Sequence, residues 1–195
     1  MSRAIRALGL LAAGLLVVSA SVTAQAQVVY RTQPASKLWI EGTSNKSDWT
    51  VDAKEFSGTF TMNREGAPGL TAAKLNVVAA KLSSGRSTIM DRLMYDALKV
   101  DEEPQITYEL VSVQPSEAGA TFTLQTKGRL TLAGTTKEVD MTVQGERMAD
   151  GRVRFQGQHE LLQSDYGITP PSAMFGALRT GDKVTVKFDV VVAPQ

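Results

Sequence analysis

The sequence of 195 residues contains no cysteine. That absence excludes disulfides, Cys-ligated zinc, iron–sulfur clusters and thiol nucleophiles together. A single histidine, His159, also excludes a His-rich metal site or a two-histidine mechanism within one chain. Neither sign of charge predominates: 21 Lys and Arg stand against 20 Asp and Glu. No basic run restores the electrostatic footprint that nucleic-acid binding leaves in a sequence, so no nucleic-acid partner is expected. The apolar stretch at residues 7–18 falls short of the ~20 residues that cross a bilayer as a helix.

What is present begins with an address. Arg3 and Arg6 precede the apolar stretch, and Ala24-Gln25-Ala26 supplies small residues where signal peptidase cuts. Residues 1–26 therefore read as a secretory signal peptide, with Gln27 as the expected mature N-terminus. Export to the periplasm or beyond follows. Residues 27–195 suffice for one domain with a core of its own, and 43% hydrophobic with 21% charged residues is ordinary globular composition.

Period-two patterning dominates this remainder. Val153, Phe155, Gly157, His159 and Leu161 alternate with polar neighbours, as do Val184, Val186, Phe188 and Val190, which is the signature of strands with one wet face. Further strands are expected over 36–43, 55–62, 73–82, 105–113, 120–131 and 138–145, rich in Val, Thr, Phe, Tyr, Leu and Ile, with a short ninth at 28–32. Turn chemistry falls at 66–69, 115–119, 133–136 and 149–151. Connections this short join antiparallel neighbours. One segment differs: Ser87 caps a run in which Ile89, Met90, Leu93, Met94, Ala97 and Leu98 recur every three or four residues before Pro104, predicting one helix of about three turns.

Eight antiparallel strands can close into a barrel, whose interior is then either filled by side chains or able to hold one small ligand. The expected fold is therefore all-β, an antiparallel eight-stranded lipocalin-like barrel with one short helix as lid or plug. Phe60, Phe122, Phe155 and His159 lie on the apolar faces. Glycines in the same rows, Gly58, Gly128 and Gly157, either leave room in the lumen or mark bulges and bends.

Several segments then carry a resemblance. Residues 36–45 with Asp48-Trp49, the run Leu82-Ser83-Ser84-Gly85, the helical segment and Pro104-Gln105-Ile106-Thr107-Tyr108 follow one another. Gly128-Arg129-Leu130-Thr131-Leu132-Ala133-Gly134-Thr135-Thr136-Lys137, then Asp165-Tyr166-Gly167-Ile168, Pro170-Pro171 and Gly181-Asp182-Lys183-Val184 complete the order. In this ordered set the sequence resembles the YceI-like family of secreted, lipocalin-like proteins. The resemblance implies an extended barrel whose apolar tunnel holds a polyisoprenoid or similar long-chain lipid, with no catalysis and no cofactor. Ser44 and Ala133 stand where the family more often has histidines, so a head-group role for those histidines does not carry over.

Chemistry beyond binding finds little support. His159 sits mid-strand with no nucleophile elbow in the sequence, so a Ser/His/Asp triad is not expected. Asp101-Glu102-Glu103 lacks the spaced oxygen ligands of a calcium loop and reads as solvated; no metal is expected. Phosphate-cradling glycine motifs are absent. Phe60, Tyr108, Phe122, Phe155 and His159 are thus the candidate lumen residues. Tyr166, Met174 and Phe175, around Pro170-Pro171, either fold over one barrel end or form the rim of a lipid entrance. Trp39, out of phase with Leu38 and Ile40, faces outward or packs under the N-terminal segment. Transient contact with a membrane or with envelope proteins is the remaining partner expectation. The competing reading is a filled barrel working through its surface as an envelope stress or assembly factor, and a weaker third is an enzyme acting on lipid.

Overall fold

The computed structural model describes residues 27–63, 69–115 and 119–195. The signal-like segment, and most of the turns expected at 66–69 and 115–119, lie outside the described residues. In chain order the strands are β1 (Gln27–Thr32), β2 (Lys37–Ser44), β3 (Trp49–Ala53), β4 (Phe56–Asn63), β5 (Leu70–Val78) and β6 (Leu82–Ser83). Helix α1 (Thr88–Leu98) follows, then β7 (Gln105–Pro115), β8 (Thr121–Leu132), β9 (Thr135–Arg147), β10 (Val153–Leu162), β11 (Ser172–Ala173) and β12 (Leu178–Pro194).

The alternation in the sequence becomes alternation of burial. Gly58, Phe60 and Met62 are buried along β4, as are Phe122, Leu124, Thr126 and Gly128 along β8, while the residues between them are more exposed. All pairings are antiparallel, and the circuit β1-β4-β5-β7-β8-β9-β10-β12 returns to β1. The fold is thus the all-β, eight-stranded antiparallel barrel with one helix. Strands β2, β3 and β6 prolong the wall beyond β1, β4 and β5: β12 pairs with β1 over its last residues and with β2 over Thr180 to Asp189. The step between β1 and β2 occurs at Pro34. There the Val191 main chain accepts from Gln33 N at 2.8 Å and exchanges hydrogen bonds with Ser36 Oγ at 3.0 Å.

Two ends result. At the floor end Phe60 stacks on Phe155, centroids 5.4 Å apart, and Phe122 meets Phe155 edge-on at 6.2 Å. Met62, Leu70, Val153, Val190 and Val192 complete this packed cluster. At the other end α1 lies over Val51, Ala53, Val77 and Leu82 through Met94, Tyr95 and Leu98.

One strand was not expected from the sequence: Trp49 opens β3, which pairs with β2 and β6, with Trp49 opposite Gly42. Five residues bearing exposed Thr50 and Asp52 give too short an apolar row to register as a strand by period alone. The strand glycines Gly128 and Gly157, moreover, do not vacate the lumen, and of the two only Gly128 stands at a bulge, opposite the one between Leu110 and Ser112 of β7. Tyr108 covers Gly128, Phe122 covers Gly145 and Phe188 covers Gly157, each so closely that a Cβ would lie within 2.6 Å of the ring. A neighbouring strand's aromatic side chain replaces the missing one, which keeps the wall shielded.

Candidate functional site

Between the aromatic floor and α1 the barrel encloses a cavity of about 220 Å³. Its wall is aliphatic and aromatic almost throughout. Leu38, Ile40 and Val51 come from the prolonged wall, Leu75 and Val77 from β5, Leu124 and Leu130 from β8, and Val184, Val186 and Phe188 from β12. Phe60 and Phe155 close the floor, while Met94, Ala97 and Leu98 of α1 close the opposite end.

The helix is placed by its first turn and a polar clamp. Ser87 Oγ accepts from Met90 N at 3.4 Å, the N-cap read from the sequence. The Asp91 carboxylate accepts from Ser83 Oγ at 3.0 Å, Ser84 N at 2.9 Å and Ser84 Oγ at 2.6 Å. Burial alone pushes the Asp91 carboxyl upward, but these hydrogen bonds outweigh it and hold it below the usual carboxylate range. The Tyr95 hydroxyl donates to the Leu82 carbonyl at 2.6 Å. Lys99, in a left-handed conformation with φ 55°, ends the helix. No helix residue is fully buried, so α1 is held on the barrel by this clamp and by a thin apolar stripe.

The cavity has few polar groups. Thr126 is buried and its hydroxyl donates to the Met141 carbonyl at 3.0 Å. Burial raises the Tyr108 hydroxyl pKa, outweighing the opposing effect of nearby Thr126. His159 is half-buried, and burial lowers its pKa against the opposing effect of the nearby Asp140 main chain. Thr107 and Gln163 are the remaining polar lining residues, and Gln163 Nε2 donates to the Gly181 carbonyl at 2.9 Å. No cluster of metal-ligating side chains occurs among the described residues.

Of the residues singled out from the sequence, Phe60, Tyr108, Phe155 and His159 line this cavity. Phe122 lies in the floor beneath it, over Gly145. Tyr166 is buried at 2% exposure in the 3₁₀ turn 163–166, with Lys137 over its ring at 5.8 Å. It belongs to the packing around the cavity, not its lining. Met174 and Phe175 stand apart from both: they are 75% and 112% exposed, in left-handed backbone at φ 53° and 54°. Pro171 and Ile168, in the same connection, do reach the lining. Sequence reasoning missed Leu38, Ile40, Val186 and Phe188 as lining residues; their period-two rows were the signal.

A match to the YceI-like domain spans residues 19–192. The chain belongs to the YceI-like domain family. No curated protein matches the sequence. Among solved structures, this YceI-like chain is similar to Burkholderia cenocepacia BcnA, at 18% identity and a TM-score of 0.67 over 80% of this chain and 95% of that one. It is also similar to a polyisoprenoid binding domain from Saccharophagus degradans implicated in plant cell wall breakdown, at 15% identity and a TM-score of 0.68. That match covers 86% of this chain and 99% of the other. The Campylobacter jejuni YceI protein follows at 15% identity and 0.59, covering 74% and 84%. At these identities the structural likenesses carry the YceI-like barrel fold.

Proposed function

We propose that residues 27–195 form a lipid-binding barrel that holds a polyisoprenoid or similar long-chain lipid in its lumen, without catalysis, after export to the periplasm. The observation that carries this reading is the apolar cavity enclosed between the Phe60–Phe155 floor and α1. Sequestering an apolar chain there removes it from water at roughly 25 cal/mol per Å², so binding needs few polar contacts. The family, and a similar structure described as a polyisoprenoid binding domain, favour an isoprenoid among apolar chains.

The non-catalytic reading rests on the polar lining. The Thr126 hydroxyl donates to the Met141 carbonyl and not to His159, so the two are not arranged as nucleophile and base. Met174 and Phe175 support transient contact with a membrane, since large apolar side chains presented to water suit a bilayer surface. The competing reading, a filled barrel acting through its surface, lacks its marker. Trp39 is only half-exposed on the outer wall, its indole N–H donating to Glu41 Oε1 at 2.9 Å, and the lumen is open. Organic extraction of the protein purified from the exported fraction, followed by mass spectrometry, tests the proposal. A stoichiometric long-chain isoprenoid is the expected result, and clean protein with no extractable lipid would reject it.

A further inference from the structure

The barrel wall is not hydrogen-bonded evenly. Strand β10 pairs with β12 along its whole length, from Val153 to Leu162, and β9 pairs with β8 from Thr135 to Glu146. Between themselves β9 and β10 pair only at the floor end, from Val153↔Arg147 to Gly157↔Val143. Residues 135–142 and 158–162 have no ladder to each other. This leaves a seam in the half of the wall nearest α1.

What lies behind the seam is the cavity itself. Val139 and Met141 on the β9 side, and His159 and Leu161 on the β10 side, all belong to its lining. Side chains, not main-chain hydrogen bonds, therefore separate the lumen from solvent here. The charges here disfavour a ladder. Continuing the register sets Asp140 opposite Glu160, and like charges directly opposite oppose pairing. Each acid is drawn away from the seam: Asp140 to Lys127 on β8 at 3.4 Å, Glu160 to Lys183 on β12 at 2.6 Å. The His159 side chain stands near the Asp140 main chain across it. Beyond the end of β10, Lys137 meets Asp165 at 3.4 Å and lies over the Tyr166 ring.

Other ladders are interrupted as well. That of β12 with β2 shifts register between Thr180 and Val184. That of β5 with β7 stops at Lys74↔Glu109, next to the bulge between Leu110 and Ser112; Leu70 and Leu110 behind it reach the cavity lining as well, but both are packed into the floor cluster with Val113. A segment sealed by few contacts over a cavity is the part of a wall that opens at least cost. We propose that the β9–β10 seam is the lateral portal by which the apolar chain enters and leaves the lumen, with His159 as the lining side chain that stands in it. This inference rests on the lipid-binding reading and adds a route to it.

The absence of cysteine permits a direct test. Asp140→Cys/Glu160→Cys, both exposed, is bridged by a short bifunctional thiol reagent, with bridging verified by intact mass. The control, Gln144→Cys/Gln156→Cys, bridges a pair already in the ladder. Uptake and release of anthraniloyl-farnesol are followed by fluorescence in full-length mature protein. The portal predicts that the seam bridge slows both directions at least tenfold relative to the same variant left unbridged, while the control bridge leaves exchange as in its own unbridged variant. His159→Ala should speed exchange severalfold. Native rates with the seam bridged, or equal slowing by the control bridge, would overturn the portal while leaving lipid binding intact. Failure of the native protein to take up any probe would instead overturn the lipid-binding reading, and the portal with it.

Discussion

The ring of Phe188 on β12 covers the main chain of Gly157 on β10, so closely that a Cβ at Gly157 would lie 2.6 Å from it. The two residues are register partners, and Phe188 in turn lines the cavity. The glycine sets where the ring rests, and the ring sets the shape of the lumen. Gly157→Ala should therefore push Phe188 inward, cost about 1–3 kcal/mol as overpacking does, and reduce ligand capacity. Gly157→Ala/Phe188→Leu should recover most of both. Urea unfolding and fluorescence titration check this; a single mutant as stable as the native protein would show that the contact relaxes freely.

The floor makes a second prediction. Phe155 is 3% exposed and is stacked on Phe60 and edge-on to Phe122. Phe155→Ala should cost about 3–5 kcal/mol, as truncation of a buried aromatic side chain does. Phe60→Leu keeps most of the packing but deepens the cavity from its closed end, so it should favour longer isoprenoid chains over shorter ones. A competition between farnesol and a longer prenol, before and after the substitution, reads this out. An unchanged preference would mean that the chain does not reach the floor.

How far these relationships were legible in the sequence depends on their range. The period-two rows of β4, β8, β10 and β12, the Ser87 cap and the stop before Pro104 are local, and the chain obeys them. Closure also follows from strand number and short turns. The strand containing Trp49 was illegible because its apolar row is short, and its identity depends on β2 lying beside it. Gly128 and Gly157 could be seen to lack bulk, but the rings that cover them come from other strands and appear only once register is fixed. Register likewise hides the seam, since Asp140 and Glu160 look like ordinary wet-face acids until they are set opposite each other. Tyr166 is placed by the 3₁₀ turn that folds it inward, and the positive φ of Met174 and Phe175 has no signal in residues that ordinarily avoid it.

Acid should act in two steps. Burial lowers the pKa of His159, so the folded protein binds this proton less readily than the unfolded chain, whose histidine titrates near ~6.5. Its contribution is full above that value and is lost as pH falls from there through the lowered value of the folded state. Asp189, hydrogen-bonded by Arg154 at 2.5 Å, and the clamped Asp91 are also lowered. Theirs is full above the ordinary carboxylate value near ~3.9 and is lost as pH falls further. Urea midpoints from neutral to acid pH should show both declines in the native protein. His159→Gln should abolish only the upper one, and an unaltered upper decline would assign it elsewhere.

The clamp on α1 gives a separate expectation. Asp91→Ala leaves Ser83, Ser84 and the Ser84 main chain without their acceptor, and no helix residue is buried deeply enough to compensate. Hydrogen exchange over residues 88–98 should accelerate at least tenfold, while the floor residues of β4 and β8 stay protected. Ser87→Ala, removing only the cap, should cost about 1 kcal/mol of helix stability and leave the lid seated. Equal exchange in the two variants would remove Asp91 from its role as the anchor of the helix.

Phe175 tests the membrane contact. Its side chain is fully exposed, so Phe175→Ala should change folding stability by no more than about 0.5 kcal/mol, as for surface substitutions away from caps and charge networks. A phenylalanine entering a bilayer interface removes much of its ~150–250 Å² from water. Losing even a third of that burial weakens association by roughly tenfold, at about 25 cal/mol per Å² and 1.4 kcal/mol per factor of ten. Cosedimentation with phosphatidylethanolamine and phosphatidylglycerol vesicles should fall by that factor in Phe175→Ala and further in Met174→Ala/Phe175→Ala, with thermal midpoints unchanged. Affinity for anthraniloyl-farnesol presented in detergent should stay native, because neither residue lines the cavity. Undiminished vesicle binding in the double variant would exclude this tip as the membrane contact, whatever the barrel holds.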